Sequence, residues 1–142
     1  MRELVVPITV EFEDVDSYRI AHHTKLVAYL ERARLRLLTS LGMELSREDL
    51  VPVLYDLQMR FRQPVRLLDR LEVTVHVRDY HEYQLVLGYR IRREGQTVAR
   101  ATTTLAFTDL ATGEVAPLPP SYLAALGTVL AREERANLAE ND

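Results

Sequence analysis

The spacing of hydrophobic residues changes once near the start of the chain. Between residues 3 and 12 apolar side chains alternate with less apolar ones, which is the period of a half-buried strand. From Thr24 onward the apolar residues fall at helical spacing. The pattern stops at Gly42, and glycine readily takes the left-handed conformation that ends a helix. The sequence therefore predicts a strand followed by a long helix.

Alternation returns in four later segments, which we predict to be strands. The sequence between the last two strands, Arg-Glu-Gly-Gln, is typical of a hairpin turn. A proline-rich stretch then precedes an amphipathic helix, and a capped turn precedes the second strand. The strands are expected at about 57–62, 71–78, 83–92 and 96–108, the final helix at 121–135 and the capped turn at 46–50.

Five alternating strands and one long helix after the first strand predict an antiparallel sheet that covers a central helix. The clean alternation means that each strand buries one face. The fold class is therefore α+β. A chain of 142 residues is expected to form one domain, residues 1–142.

Composition narrows the classes of function. The chain has 18 Lys and Arg against 21 Asp and Glu, a net charge of −3, which argues against general binding to nucleic acid or anionic membranes. It contains no cysteine, which excludes disulfides and thiolate catalysis and suits the cytoplasm. No apolar run approaches the ~18 residues of a membrane span, and the N-terminus lacks the features of a signal peptide. We expect a cytoplasmic protein without membrane insertion.

The loop before the long helix gathers Asp14, Asp16, His22 and His23. A calcium-binding EF-hand loop would need glycine and glutamate at positions that hold arginine and lysine here. A helical zinc site would need histidines four residues apart rather than adjacent. The sequence therefore predicts no metal site.

A carboxylate beside a helix N-terminus leaves two interpretations open. Free N–H groups there stabilise negative charge on an oxygen, and a nearby carboxylate can attack a carbonyl or take a proton from water. Together they meet the needs of acyl-group hydrolysis. The other interpretation is an aspartate that caps the helix on an exposed loop, which is common.

The residues from 12 to 42, FEDVDSYRIAHHTKLVAYLERARLRLLTSLG, resemble a motif of the hotdog-fold acyl-CoA thioesterases. That motif has the form F-x-D-x-D-x-x-G-h-h-x-H-x-x-Y and continues through h-E-x-A-R to L-G. The likeness is to the 4-hydroxybenzoyl-CoA thioesterase-like group, which includes the Tol–Pal-associated acyl-CoA thioesterases. Two further segments, MRFRQPVRLLDRLEVTVHV and ATGEVAPLPPSYLAAL, extend the resemblance over almost the whole chain.

The resemblance implies a hotdog fold, with a five-stranded antiparallel sheet wrapped around a long central helix. It implies hydrolysis of an acyl-CoA without a cofactor. Asp16 matches the catalytic carboxylate, and His23 matches the residue whose main-chain N–H binds the thioester oxygen. Whether the carboxylate attacks directly or activates water stays open.

The resemblance also implies substrate-binding residues. Around the motif these are Tyr18, Arg19, His22 and Thr24. Arg19 stands where the motif has glycine, and this change is expected to remove freedom for positive φ.

Some family members bind the CoA phosphates with a basic cluster between the third and fourth strands. This chain has Tyr-His-Glu-Tyr at 80–83 instead. Arg60 and Arg62 are therefore expected to bind substrate, and Arg90 and Arg92 are further candidates.

The family dimerises, often with dimers that pair again, and builds its site between subunits. A homo-oligomer, dimer or homotetramer, is therefore expected, because a single sheet leaves an open edge strand. Two alternatives remain: a thioesterase that acts on acyl carrier protein, and an acyl-CoA-binding protein without catalysis.

Overall fold

A computed structural model describes residues 3–43 and 50–129 of the chain. Helix α1 follows the first strand, and a short 3-10 helix, Phe12–Asp14, lies between them. Residues 120–129 form a second helix, α2. The capped turn predicted at 46–50 falls almost entirely outside the described residues, as does the predicted helix beyond residue 129. The elements are β1 (Leu4–Thr9), α1 (His23–Ser40), β2 (Leu50–Phe61), β3 (Arg70–His81), β4 (Gln84–Arg93) and β5 (Gln96–Asp109).

The five strands form one sheet in the order β1-β3-β4-β5-β2, and each neighbouring pair is antiparallel. The hairpin between β4 and β5 turns at Glu94 and Gly95, whose φ angles of 52° and 79° are those of a tight hairpin turn. Strands β1 and β2 are the edges of the sheet. The predicted α+β class, with a five-stranded antiparallel sheet and a helix, is confirmed.

The core lies between the sheet and α1. Alternate residues of β3 and β4 point inward and are almost fully buried, as period-two patterning requires. Helix α1 has 18 residues and packs mainly on β1 and β3. Its buried stripe consists of Leu26, Tyr29, Leu30, Ala33, Leu37 and Leu38.

Several strand boundaries differ from the prediction, and for two of them the structure shows the local cause. β1 ends at Thr9, and Phe12 lies in the 3-10 helix with 81% of its surface exposed. The chain turns there because the Asp14 carboxylate accepts a hydrogen bond from the N–H of Glu11, at 3.1 Å. β2 starts seven residues before the predicted position, at Leu50, in a stretch interrupted by Pro52 and a register shift at Tyr55.

Helix α2 packs against the far end of the sheet. The rings of Phe107 on β5 and Tyr122 on α2 lie 5.9 Å apart. The N–H of Leu118 donates to the carbonyl of Glu82, at 2.7 Å, and so ties the preceding segment to the β3–β4 turn. In the described part of the chain, no helix has the length and apolar character needed to cross a membrane.

Candidate active site

The loop between the 3-10 helix and α1 is folded back on itself. An isolated antiparallel bridge joins Val15 to Ala21 at its base. Within the loop, the N–H of Asp16 donates to the carbonyl of Ile20 at 3.0 Å, and the N–H of Arg19 donates to the carbonyl of Asp16 at 2.9 Å. Asp16 therefore sits at a fixed position across from the residues that lead into the helix.

The Asp16 side chain is oriented by main-chain donors. Its Oδ1 accepts hydrogen bonds from the N–H groups of Tyr18, at 2.8 Å, and Ile20, at 3.3 Å. The residue is exposed, and no side chain among the described residues donates to its carboxylate. A carboxylate has about four acceptor positions. Oδ2 therefore keeps its capacity to accept a proton or to attack an electrophile.

Asp14 is engaged differently. Its Oδ2 accepts a hydrogen bond from the hydroxyl of Tyr29, at 2.8 Å, as well as the bond from Glu11. Tyr29 lies in the core, with 2% of its surface exposed. Burial, reinforced by the hydrogen bond to Asp14, raises the pKa of the Tyr29 phenol, so the hydroxyl keeps its proton at neutral pH. Asp14 thus joins the loop to the helix.

Helix α1 begins at the histidine pair. His22 is the N-cap residue, and its Nδ1 accepts a hydrogen bond from the N–H of Thr24, at 3.3 Å. The Thr24 hydroxyl also lies 2.8 Å from this Nδ1. His23 is the first helical residue, and its N–H has no acceptor among the described residues. An unengaged N–H at a helix N-terminus is suited to bind an oxyanion.

A pocket of about 260 Å³ opens beside this helix start. It brings His23 together with Arg62, two of the predicted site residues. The His23 ring contacts the His22 ring, with centroids 4.2 Å apart, and meets Phe61 edge-on at 6.5 Å. The lining residues are Ala21, His23, Leu26, Phe61, Arg62, Gln63, Pro64 and Val65.

The other predicted substrate-binding residues lie outside this lining. Tyr18 is 82% exposed and contributes its N–H to Asp16. His22 and Thr24 together cap the helix. Arg60 is exposed on β2, directly opposite Arg100 of β5.

Arg19 corrects one expectation. Its φ is 63°, so the arginine takes the left-handed conformation that its replacement of glycine was expected to disfavour. A non-glycine residue pays about 1–2 kcal/mol for that conformation. Local hydrogen bonds hold it there, since its N–H bonds Asp16 and its carbonyl accepts from Leu67, at 3.2 Å.

The connection between β2 and β3 supports both the loop and the pocket. The N–H of Ala21 donates to the carbonyl of Val65, at 2.7 Å, and Ile20 forms a bridge with Arg66. Sequence reasoning did not select Gln63, Pro64 and Val65 as site residues. The only signal for them was the proline and aspartate in the segment that carried the resemblance.

Tyr29 and Tyr55, which could have lined an acyl pocket, both lie outside the pocket lining. Tyr29 is core, as described above. Tyr55 is 58% exposed at the register shift of β2, outside both the core and the pocket lining. Within residues 3–43 and 50–129, no three His, Cys, Asp or Glu side chains lie close enough together to hold a metal ion.

The sequence profile of the thioesterase-like superfamily matches residues 10–126. The match spans most of the chain and includes the loop, α1 and all four later strands. The chain belongs to this superfamily. The predicted thioester hydrolase is thereby confirmed at the level of the family, and the narrower subgroup stays a prediction.

Individual proteins are similar to the chain in sequence or in fold. A relative from Aquifex aeolicus (strain VF5) is 26% identical over 120 residues, which cover 82% of this chain and 92% of the relative. The fold is that of the 1,4-dihydroxy-2-naphthoyl-CoA thioesterase from Synechocystis, with a TM-score of 0.80, 22% identity, and coverage of 88% of this chain and 96% of that one. The DHNA-CoA thioesterase from Staphylococcus aureus has a TM-score of 0.86, 19% identity and coverage of 96% of both chains.

Proposed function

We propose that this protein is an acyl-CoA thioesterase of the 4-hydroxybenzoyl-CoA thioesterase-like group, acting through Asp16 and the N–H of His23. The observation that carries the proposal is that the loop before α1 and the first residue of that helix each leave one polar group available. Asp16 keeps an exposed oxygen while two main-chain N–H groups hold the other. The N–H of His23 has no acceptor in the described chain, and its residue lines a pocket.

The chemistry follows from these two groups. The thioester oxygen accepts the N–H of His23, and the helix dipole stabilises the negative charge that develops there. In one route Asp16 takes a proton from water as the water oxygen attacks the carbonyl carbon. In the other its carboxylate attacks and forms a mixed anhydride that water then hydrolyses. In both routes the carbon–sulfur bond breaks, the sulfur takes a proton, and free acid and CoA leave.

The pocket favours an aromatic or medium-length acyl group. Its apolar lining comes from Ala21, Leu26, Phe61 and Val65. Both solved thioesterases described above act, by name, on the CoA ester of a dihydroxynaphthoic acid. We propose an aromatic acyl-CoA as the substrate, bound without a cofactor.

A hydrolysis screen tests this function directly. CoA esters from acetyl to palmitoyl, together with benzoyl and naphthoyl types, are incubated with the protein, and release of free CoA thiol is followed. We expect turnover of at least one aromatic ester. Faster hydrolysis of acyl carrier protein thioesters would select the carrier-protein alternative. Tight binding of acyl-CoA with no turnover would select the non-catalytic one.

We propose that the chain is one hotdog domain whose sheet curves around α1, and that a second copy pairs with it to build the site between subunits. Edge strand β2 supports this, because it has 12 residues and pairs only with β5 in the described chain. It also exposes Leu54, Tyr55 and Phe61. Such an edge is normally covered. Light scattering should give a dimer or tetramer, and a fully active monomer at micromolar concentration would contradict it.

Arginines are proposed to bind the phosphates of CoA. Arg62 lines the pocket, and Arg60 lies directly opposite Arg100 of β5. Like charges directly opposite each other are unfavourable, so a bound anion near Arg60 and Arg100 would relieve their repulsion. The KM for acyl-CoA should rise in Arg60→Gln and Arg62→Gln but not in Arg36→Gln, an exposed arginine on α1. The proposed location is the cytoplasm, where CoA esters would be met.

A further inference from the structure

The segment after β2 places a carboxamide in the wall of the pocket. Gln63 follows Arg62 and precedes Pro64 and Val65, and all four residues line the pocket that also contains His23. The N–H of Gln63 donates to the carbonyl of Val98, at 3.3 Å, which attaches this point of the wall to β5. The main chain at Gln63 is therefore fixed with respect to the sheet.

Arg93, at the end of β4, fixes the Gln63 side chain as well. Its Nη2 donates to Oε1 of Gln63, at 2.9 Å. Its Nη1 donates to the carbonyl of Pro64, at 2.9 Å, and to Oδ2 of Asp69, at 2.7 Å. Asp69 also accepts the N–H of Arg66, at 2.8 Å. One guanidinium thus bonds to three points of the β2–β3 connection.

The orientation of the amide follows from the chemistry of arginine. A guanidinium only donates hydrogen bonds, so the atom of Gln63 that faces it must be the oxygen. The amide nitrogen consequently presents its two hydrogens away from Arg93. Nε2 has no acceptor among the described residues. Gln63 is an exposed residue of the pocket lining, so these donors are available to an acceptor on an acyl group that fills the pocket.

We propose that Gln63 donates a hydrogen bond to an oxygen on the acyl group and that Arg93 is its positioning residue. The pocket then favours acyl groups that carry an oxygen acceptor over hydrocarbon groups of the same shape. This inference rests on the proposed acyl-CoA thioesterase function and specifies its substrate class. It gives Gln63 a role in specificity, separate from the role of His23 at the thioester.

Inert analogues test the inference without requiring turnover. In substituted phenacyl-CoA thioethers a CH₂ group separates the carbonyl from the sulfur, so no thioester is present. The probes carry methoxy, ethyl or hydroxyl at ring position 2, 3 or 4. Methoxy and ethyl are nearly the same size, but only methoxy accepts a hydrogen bond. By calorimetry, we expect the wild type to prefer methoxy over ethyl at one ring position by about three- to tenfold, the effect of one hydrogen bond.

Two substitutions of Gln63 separate donation from shape. Gln63→Met should remove the methoxy preference and leave the ethyl affinity within about twofold, since the side-chain length is kept. Gln63→Glu keeps an oxygen that can bond Arg93, but its carboxylate can only accept hydrogen bonds. It should lose the methoxy preference and retain affinity for the hydroxyl analogue, because a phenol can donate to the carboxylate. Gln58→Met is the matched control, because the Gln58 amide on β2 donates to Asp56, at 3.3 Å, and does not line the pocket.

The positioning role of Arg93 is tested by the effect of its substitution on the methoxy preference that Gln63 provides. Arg93→Met should lose the methoxy preference, and the double variant Arg93→Met, Gln63→Met should lose no more than either single variant. If Arg93→Met does not fold, Arg93→Lys keeps a charge for Asp69 but lacks the planar fork that reaches three acceptors. It should lose the same preference.

The outcomes distinguish this inference from the proposed function. Equal binding of methoxy and ethyl analogues by the wild type at every ring position would overturn the role of Gln63 and leave thioester hydrolysis untouched. A preference that survives Gln63→Met would also overturn it. Hydrolysis of CoA esters is measured separately, so a protein that binds the analogues selectively but hydrolyses none would refute only the proposed function.

Discussion

The connection between β1 and α1, which includes the 3-10 helix, has two halves that each contain one aspartate, and the two carboxylates have opposite surroundings. In the first half, Asp14 bonds the buried hydroxyl of Tyr29 and the N–H of Glu11. In the second half, Asp16 is exposed, and its bonds come from main-chain groups of its own loop. One carboxylate is used to attach the loop to the helix, and the other is held in place and left available.

The difference shows how one residue type serves two purposes two positions apart. A carboxylate that accepts from a core tyrosine adds to stability, and its removal leaves a buried hydroxyl unsatisfied. A carboxylate held by main-chain N–H groups keeps its place with little help from side chains. Its replacement by an amide therefore costs little in folding but removes its chemistry.

The largest expected effect is on the Asp16 half. Asp16→Asn retains an oxygen for the N–H groups of Tyr18 and Ile20, so the thermal transition should move by less than about 2 °C. The amide is neither base nor nucleophile, so kcat should fall about 10²- to 10⁴-fold. The assay measures kcat by monitoring the free thiol that is released when a thioester substrate is hydrolysed. A variant that keeps more than about a tenth of wild-type kcat would refute the catalytic role.

The next effect separates the main chain of His23 from its ring. His23→Ala keeps the N–H and should lose only a few-fold in kcat. His23→Pro removes the N–H at the first helical position, where proline is tolerated, and should lose about 10²- to 10³-fold. Circular dichroism melts must first show that the proline variant is folded, because proline also restricts His22. Equal losses in both variants would assign the role to the imidazole.

The Asp14 half should respond in stability instead. Tyr29→Phe removes the hydroxyl that donates to Asp14 and should cost about 1 kcal/mol of unfolding free energy at neutral pH, with kcat changed by less than about threefold. Denaturant titration measures the unfolding free energy, and the hydrolysis assay measures kcat. If kcat fell more than tenfold without loss of stability, the division between the two halves would be wrong.

The contribution of Tyr29 to stability has a predictable pH dependence. Burial raises the pKa of the Tyr29 phenol above its ordinary value of about 10. A group whose pKa is raised by folding contributes stability that is full below its unfolded pKa and is lost as pH rises through the folded value. The wild type should therefore lose stability relative to Tyr29→Phe above about pH 10. Tyr89, whose pKa is also raised chiefly by burial, is present in both proteins and cancels in the comparison.

The sequence predicted most of the fold but few of the contacts within the site. Period-two and helical spacing located the later strands and α1, because buried faces impose those periods. The end of β1 was misplaced, because Phe12 fits the alternation while a side-chain bond from Asp14 turns the chain. The first half of β2 was missed, because its residues are half-buried or exposed in unbroken runs and show no alternation.

The site was visible only as residue types along the chain. Asp14 and Asp16 look alike in sequence, and the partner that separates them, Tyr29, lies on the helix 15 residues from Asp14. Gln63 and Arg93 are 30 residues apart, and only the sheet brings them together. Contacts of this kind depend on register and cannot be read from local spacing.

The smallest expected effect concerns the turn that holds Asp16. Arg19 has a φ of 63°, which glycine adopts without strain. Arg19→Gly removes that strain but gives the unfolded chain more freedom, so the net gain should be about 0.5–1 kcal/mol or less. If the loop is already held in its active shape, kcat should stay within about twofold of the wild-type value. Arg36→Gly is the control for stability, and it should destabilise the protein because Arg36 lies inside α1. A large rise in kcat would show that Arg19 holds Asp16 away from its working position, and the exposed half of the loop would then be strained rather than ready.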